Sequence, residues 1–232
     1  MSPVELPART LLLFVLSVIG GSTDTISFLA LNGLFTAHIT GNLVILAAHV
    51  VAGDPAVLSY IFAVPVFIGV LWLSSLAARR LERRGIRALR PLMSAELLLL
   101  LVFLILCVSS GAAFESQSAL AVVTGMCGVA AMAVQTAMVQ TSLANAPSTA
   151  VMTTNVAQLV VALAELPAGR DPAAADQARQ RIARLLPVIM GFVLGCALGA
   201  AGDAACGVWS LAVPTALAAL AFALSSSPAV RS

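Results

Sequence analysis

Eight apolar runs, near residues 10–31, 36–52, 56–78, 91–109, 118–142, 149–166, 185–202 and 207–224, leave this chain few options besides membrane-length helices. Backbone N–H and C=O groups in lipid must be satisfied within their own segment, and a run of about the ~20 residues that a bilayer requires does this as a helix. A β-barrel would need short alternating strands instead. Composition closes the remaining escape: 60% of the residues are hydrophobic and 9% charged, too little charge to cover a water-facing surface. The expected fold is therefore an all-α integral membrane protein.

The basic residues set an expectation for topology. All 12 are Arg, and they form no extended basic domain, so no nucleic-acid partner is expected. Ten lie in two polar connections, six in RRLERRGIRALR at 79–90 and four in RDPAAADQARQRIAR at 170–184. Both connections belong in the cytoplasm by the positive-inside rule. Three full crossings between them would put them on opposite sides, so one intervening run must enter and return on the same side. The run at 149–166 is short and opens on polar STAVMTTN. Irregular backbone at membrane depth is tolerated where protein or a cavity surrounds it.

Its counterpart is the run at 36–52, because TAHITGN aligns with TAVMTTN: Thr36 with Thr149, Ala37 with Ala150, Thr40 with Thr153, Asn42 with Asn155. With both re-entrant, six crossings remain, both termini are cytoplasmic, and Arg9 and Arg231 join the other Arg residues inside. A second match, Pro65-Val-Phe-Ile-Gly69 with Pro187-Val-Ile-Met-Gly191, follows in the next helix. Each unit then holds an odd number of crossings, which makes the second copy inverted, as in many transporters. The chain reads as a single membrane domain over 1–232, with repeat A at about 8–110 and repeat B at about 116–226. Arg9 alone is a thin start for a signal peptide over 10–20, and cleavage is not expected.

The polar residues inside these runs are the candidates for function. GGSTDTISF at 20–28 places Asp24 in an apolar helix, where a carboxylate needs a partner or water. Two readings stay open: a proton- or cation-coupling site, with Gly20 and Gly21 allowing a break in the helix, or a hydrogen bond that holds the fold. Gln135 falls near the Asp24 position in the second copy, after a two-residue shift. Helices starting near the midplane at the two motifs would present free N–H groups and a positive dipole end. Thr36, Thr40, Asn42, Thr149, Thr153 and Asn155 would cap those starts or extend them toward a solute; the alternative is that they only join helices. His38, opposite Val151, is a titrating group if it meets water; the other reading is a hydrogen-bonded structural group. His49 is expected at the interface.

Glu96 is expected to pair with Arg90 or Arg87 or, in the other reading, to serve the solute pathway as a coupling group beside Asp24 and His38. Asp54, Glu115, Glu165 and Asp203 fall at segment ends and are expected to be solvated. Gly191, Gly195 and Gly199 form a face for close helix approach, inside the repeat or between protomers of a homo-oligomer. Pro65, Pro187 and Pro214 would kink their helices. The four cysteines, at 107, 127, 196 and 206, lack ligand spacing and read as small buried hydrophobes. No catalytic, cofactor or metal motif is present, so an enzyme is not expected.

GGSTDTISFLALNGLFTAHITGNLVILA at 20–47 resembles the signature of the YoaK-type family of uncharacterised bacterial multi-pass membrane proteins. The resemblance runs on through the Arg-rich connection, Glu96, the Thr-Thr-Asn segment and GWSLAVP at 207–214; Val134-Gln135-Thr136 departs from it. It implies an inner-membrane location and about six spans, and no established activity. In layout alone, the paired Asn motifs resemble the half-helices of water and glycerol channels, without their Asn-Pro-Ala. The expected function is a small transporter or channel for a polar or anionic solute, with its site between the two motifs. The alternative is a non-transporting scaffold that binds lipid or a partner.

Overall fold

A computed structural model describes residues 5–53, 58–110, 118–143, 145–168 and 172–225. Asp54, Glu115, Arg170, Arg231 and both chain ends, whose placement the topology concerns, lie outside these residues. The described residues are all helical or irregular: α1 (Glu5–Ala30), α2 (Ile39–Ala52), α3 (Leu58–Arg83), α4 (Leu89–Ser110), α5 (Ala119–Ser142), α6 (Met152–Ala168), α7 (Pro172–Cys206), a 3-10 turn (Gly207–Leu211) and α8 (Ala212–Leu224). Five helical stretches are long and apolar enough to cross a membrane: Ala8–Ala30, Leu58–Arg83, Leu89–Ser110, Ala119–Ser142 and the continuous Pro172–Ala223. Ile39–Ala52 and Met152–Leu166 are apolar but shorter.

α1 and α5 form the centre. In the apolar windows of these two helices 67% and 72% of residues are buried, against 11% in α3. α1 packs most extensively along α7, and α3 along α5, followed by α4 on α5 and α6 on α7. Outward faces stay apolar, with Ile68, Trp72 and Leu73 of α3 and Leu98, Leu101 and Ile105 of α4 exposed. Apolar area on that scale is foreign to a soluble monomer and natural to a helix that meets lipid.

Close packing of α1 on α7 is made possible by glycine. A Cβ on Gly195 would lie 2.4 Å from the Val18 carbonyl oxygen, one on Gly191 2.6 Å from that of Phe14, and one on Gly199 2.9 Å from that of Ser22. Gly21 of α1 answers from the other side, 2.4 Å from the Phe192 carbonyl oxygen. The face at Gly191, Gly195 and Gly199 is thus occupied by α1 of the same chain.

Several expectations are corrected. α1 is continuous through Gly20 and Gly21, whose lack of side chains serves packing and not a break. The Arg-rich stretches are largely helix. α3 runs on to Arg83 and closes in a Schellman turn, Gly85 N–H to the Glu82 carbonyl and Ile86 N–H to that of Leu81, with Gly85 at φ 73°. The stretch at 172–184 forms the first turns of α7, since Ala, Gln and Arg favour helix and Pro172 suits a first position. At 35 residues α7 is about 52 Å long at ~1.5 Å per residue, well beyond the ~30 Å hydrocarbon core, so an Arg-bearing end can stand clear of lipid. Pro65 and Pro187 lie within α3 and α7, whereas Pro214 falls in the first turn of α8, directly after the 3-10 turn. The cysteines are free: Cys107 is buried, Cys127 and Cys196 half-buried, and Cys206 exposed.

Candidate functional site

Each of the two short helices is entered through a connector that lies against α1 or α5. The first, between α1 and α2, turns at Asn32 and Gly33, both at positive φ (54° and 88°). Tyr60 of α3 donates its hydroxyl to the Asn32 carbonyl. Leu34 fits where a side chain on Gly125 of α5 would stand, and Thr36 does the same at Gly128. The connector's backbone is then held by side chains. Asn42 accepts the Phe35 N–H at 2.9 Å and donates Nδ2 to the Phe35 carbonyl at 2.7 Å, which closes the approach to α2.

Asp24 of α1 supplies the charge at this point. Its Oδ1 accepts the N–H groups of Thr36 and Ala37, both at 2.8 Å, and the Thr36 hydroxyl at 3.2 Å; its Oδ2 lies 2.5 Å from His38 Nδ1. Backbone N–H groups with no partner in their own connector are thereby satisfied by a carboxylate two helical turns before the end of α1, the charge-assisted bonding that makes a buried carboxylate tolerable. Asp24 is 3% exposed. The His38 side chain is 32% exposed, between the rings of Phe35 (5.7 Å) and Phe192 (5.6 Å).

The second connector, between α5 and α6, repeats the backbone with other chemistry. Asn145 is again at positive φ, 62°. Asn155 donates Nδ2 to the Ser148 carbonyl at 2.7 Å, the counterpart of the Asn42 bond to Phe35. Thr149, the counterpart of Thr36, accepts from Gln135 Nε2 at 2.8 Å, and the same nitrogen donates to the Leu16 carbonyl of α1 at 3.0 Å. Gln135 Oε1 is buried without a hydrogen-bond partner. Gly20 makes room for this connector, since a Cβ there would lie 3.0 Å from the Thr149 carbonyl oxygen. Both clusters therefore hang on α1, at Leu16 and Asp24, about 12 Å apart along its axis.

The structure thus gathers Asp24, Thr36, His38 and Asn42 in one cluster and Gln135, Thr149 and Asn155 in another. Thr40 and Thr153 are exposed and join neither network. Glu96 joins neither as well, and the expected pairing with Arg90 or Arg87 is corrected. It is 1% exposed, Oε1 has no hydrogen-bond partner, and no ion pair reaches it among the described residues. Arg90 turns instead onto the Phe222 ring, 5.2 Å from the centroid. His49 stacks on Tyr60 at 5.2 Å. Glu165 is partly exposed and paired with Arg181. The sequence reading missed Asn32 and Asn145, although the offset that pairs Thr36 with Thr149 pairs them too. It also missed the main-chain groups of Phe35, Ser148 and Leu16, for which no sequence signal exists.

The cluster at Asn155 opens to a cleft of about 810 Å³ lined by Ser148, Thr154, Asn155, Gln158, Arg181 and Arg184, among others.

Comparison with known proteins places the chain in a family without an assigned activity. The family model described as "Protein of unknown function (DUF1275)" matches residues 12–224, so the chain belongs to that family. No curated protein and no solved structure matches it.

Proposed function

We propose that this protein is a small transporter or channel for a polar or anionic solute, built as an inverted repeat of six crossings and two re-entrant helices, α2 and α6. In this reading it lies in a bacterial inner membrane with both termini cytoplasmic, in keeping with the YoaK-type resemblance, and performs no catalysis. One observation carries the reading: two short apolar helices are entered through connectors of the same construction. Each has an asparagine at positive φ (Asn32, Asn145), an asparagine tied to the main chain seven residues back (Asn42, Asn155), and a threonine bonded to the preceding long helix (Thr36 to Asp24, Thr149 to Gln135). The packing supports it, since α1 on α7 and α5 on α3 exchange partners between the halves as a two-fold relation requires. Asp24 with His38 is the pair suited to proton coupling, and Glu96 is a further buried carboxyl.

Uptake into vesicles reconstituted with the purified protein tests this reading. Asp24→Asn, Asn42→Ala and Asn155→Ala, each first checked for a folded state, should lower uptake of the transported solute and alter its pH response. Unchanged uptake and pH response across a broad solute panel would sink the idea. Topology is tested separately: cysteines placed at Arg84 and Arg179 should label from the cytoplasm and Cys206 from the opposite side, and the reverse for any one of them breaks the six-crossing arrangement.

A second reading, a non-transporting scaffold, is favoured by the saturation of Asp24. Both its oxygens are bonded within the protein and it is nearly fully buried. Wild-type vesicles that move no solute while Asp24→Asn still lowers stability would select it.

A further inference from the structure

We infer that the cleft between α6, α7 and the beginning of α1 binds an oxyanion, a phosphate or carboxylate group. The inference deepens the transporter reading by giving the solute a charge, and rests on that reading for the solute's onward route, though not for binding itself.

Two adjoining cavities, of about 810 and 600 Å³, share Asn145, Ala146, Pro147 and Arg184 as walls. Among the described residues their linings hold three arginines, Arg9, Arg181 and Arg184, and no carboxylate. Arg181 is met by Glu165 from outside the lining, at 3.2 and 3.4 Å. Arg184 gives Nε to the Gln180 carbonyl at 3.2 Å and makes no ion pair among the described residues, so its charge is unanswered. Arg9, engaged elsewhere in the protein, adds a positive charge to the far wall. The floor is the start of α6, where Thr154 and Gln158 are exposed and where first-turn N–H groups and the helix dipole favour an anion.

The matched helix start supplies an independent argument. At α2 the approach carries a carboxyl group of the protein's own, Asp24, bonded to two main-chain N–H groups and to His38. At α6 the corresponding side chain is the neutral Gln135, no carboxylate lines the helix start among the described residues, and an open cleft with arginines lies beside it. In the first connector an internal carboxylate accepts the Thr36 and Ala37 N–H groups; in the second the Ser148 hydroxyl accepts those of Ala150 and Val151, at 3.4 and 3.0 Å, and the arginine-lined cleft lies beside it. A phosphate would be held by Arg184 and Arg181, which offer the planar donor fork that suits oxyanions, with Thr154 beside them.

The experiment is thermal unfolding of the full-length protein in neutral detergent, titrated with sodium phosphate or sodium acetate against sodium chloride at matched ionic strength. A parallel arm replaces the salts with phosphatidylglycerol or, as control, phosphatidylcholine. A bound ligand raises the apparent stability of the native state. Phosphate should give a saturable rise beyond that of chloride, weakened at least tenfold in apparent affinity by Arg184→Gln and by Arg181→Gln. Arg179→Gln, whose side chain pairs with Asp176 and does not line the cleft, should leave it unchanged. A rise with phosphatidylglycerol alone, equally dependent on Arg184, identifies the oxyanion as a lipid headgroup; a rise with the free anion identifies a solute. If neither raises the midpoint, or the rise survives Arg184→Gln, the inference is overturned. Its failure is distinct from that of the transporter reading: uptake of a neutral solute without anion binding removes only this inference, and anion binding without uptake removes only transport.

Discussion

The two connectors share a backbone and differ in charge. In the first, a carboxylate from α1 holds the main chain, and a half-exposed histidine shares that carboxylate. In the second, an amide from α5 makes the equivalent link to a threonine hydroxyl and ties it to a main-chain carbonyl of α1. The backbone path is therefore not dictated by Asp24, because the path forms without it. What Asp24 adds is a carboxylate, shared with His38, beside one helix start and not beside the other, and the open basic cleft lies at the start that lacks it.

Substitutions can break or sharpen this contrast, and the largest effect belongs to the charged link. Asp24→Ala strands two buried N–H groups and the imidazole partner at once, and should cost about 3–5 kcal/mol in equilibrium unfolding. Gln135→Ala loses two neutral bonds and should cost about 1–3 kcal/mol. Equal losses at the two sites would mean that the charge contributes nothing beyond hydrogen bonding.

The glycines give the next contrast, with a change of sign. Gly69 and Gly191 match in sequence, yet a Cβ at Gly191 meets a main-chain oxygen at 2.6 Å while nothing lies within 4 Å at Gly69. Gly191→Ala should destabilise by about 1–3 kcal/mol, since neither backbone can yield cheaply. Gly69→Ala should stabilise by up to about 1 kcal/mol through helix propensity alone. A loss at Gly69 of the same size as at Gly191 would show that α3 has an undetected partner on that face.

The smallest contrast lies in the asparagines. Asn42 bonds both the N–H and the carbonyl of Phe35, whereas Asn155 bonds the carbonyl of Ser148 and makes only a long contact to Met152 sulfur. Asn42→Ala should therefore exceed Asn155→Ala by about 1 kcal/mol, one hydrogen bond's worth. The reverse order, read from the same unfolding curves, would place the tighter connector in the second half.

Much of this was legible in the chain. Apolar runs near bilayer length determine helices because lipid offers the backbone no other partner. The shared Thr and Asn spacing marked both connectors, and the shift before it drew Asp24 and Gln135 to matching places. Helix ends at the Arg-rich stretches were misread because charge marks where a segment leaves lipid and not where its helix stops; helical bonding continues in water when Ala, Gln and Arg follow, as in α7.

The sequence by itself determined that this protein is made of apolar helices and that its two halves carry related polar motifs, since both follow from local composition and spacing. Only the tertiary structure decided what those polar groups do. A carboxylate in α1 becomes the anchor of residues 36–38 because α1 passes beside their connector, and an amide in α5 reaches Leu16 because α5 and α1 meet there. Main-chain acceptors such as Leu16 and donors such as Ala37 exist in every sequence. Which of them lose their water, and so need a side chain from elsewhere, is fixed by packing alone.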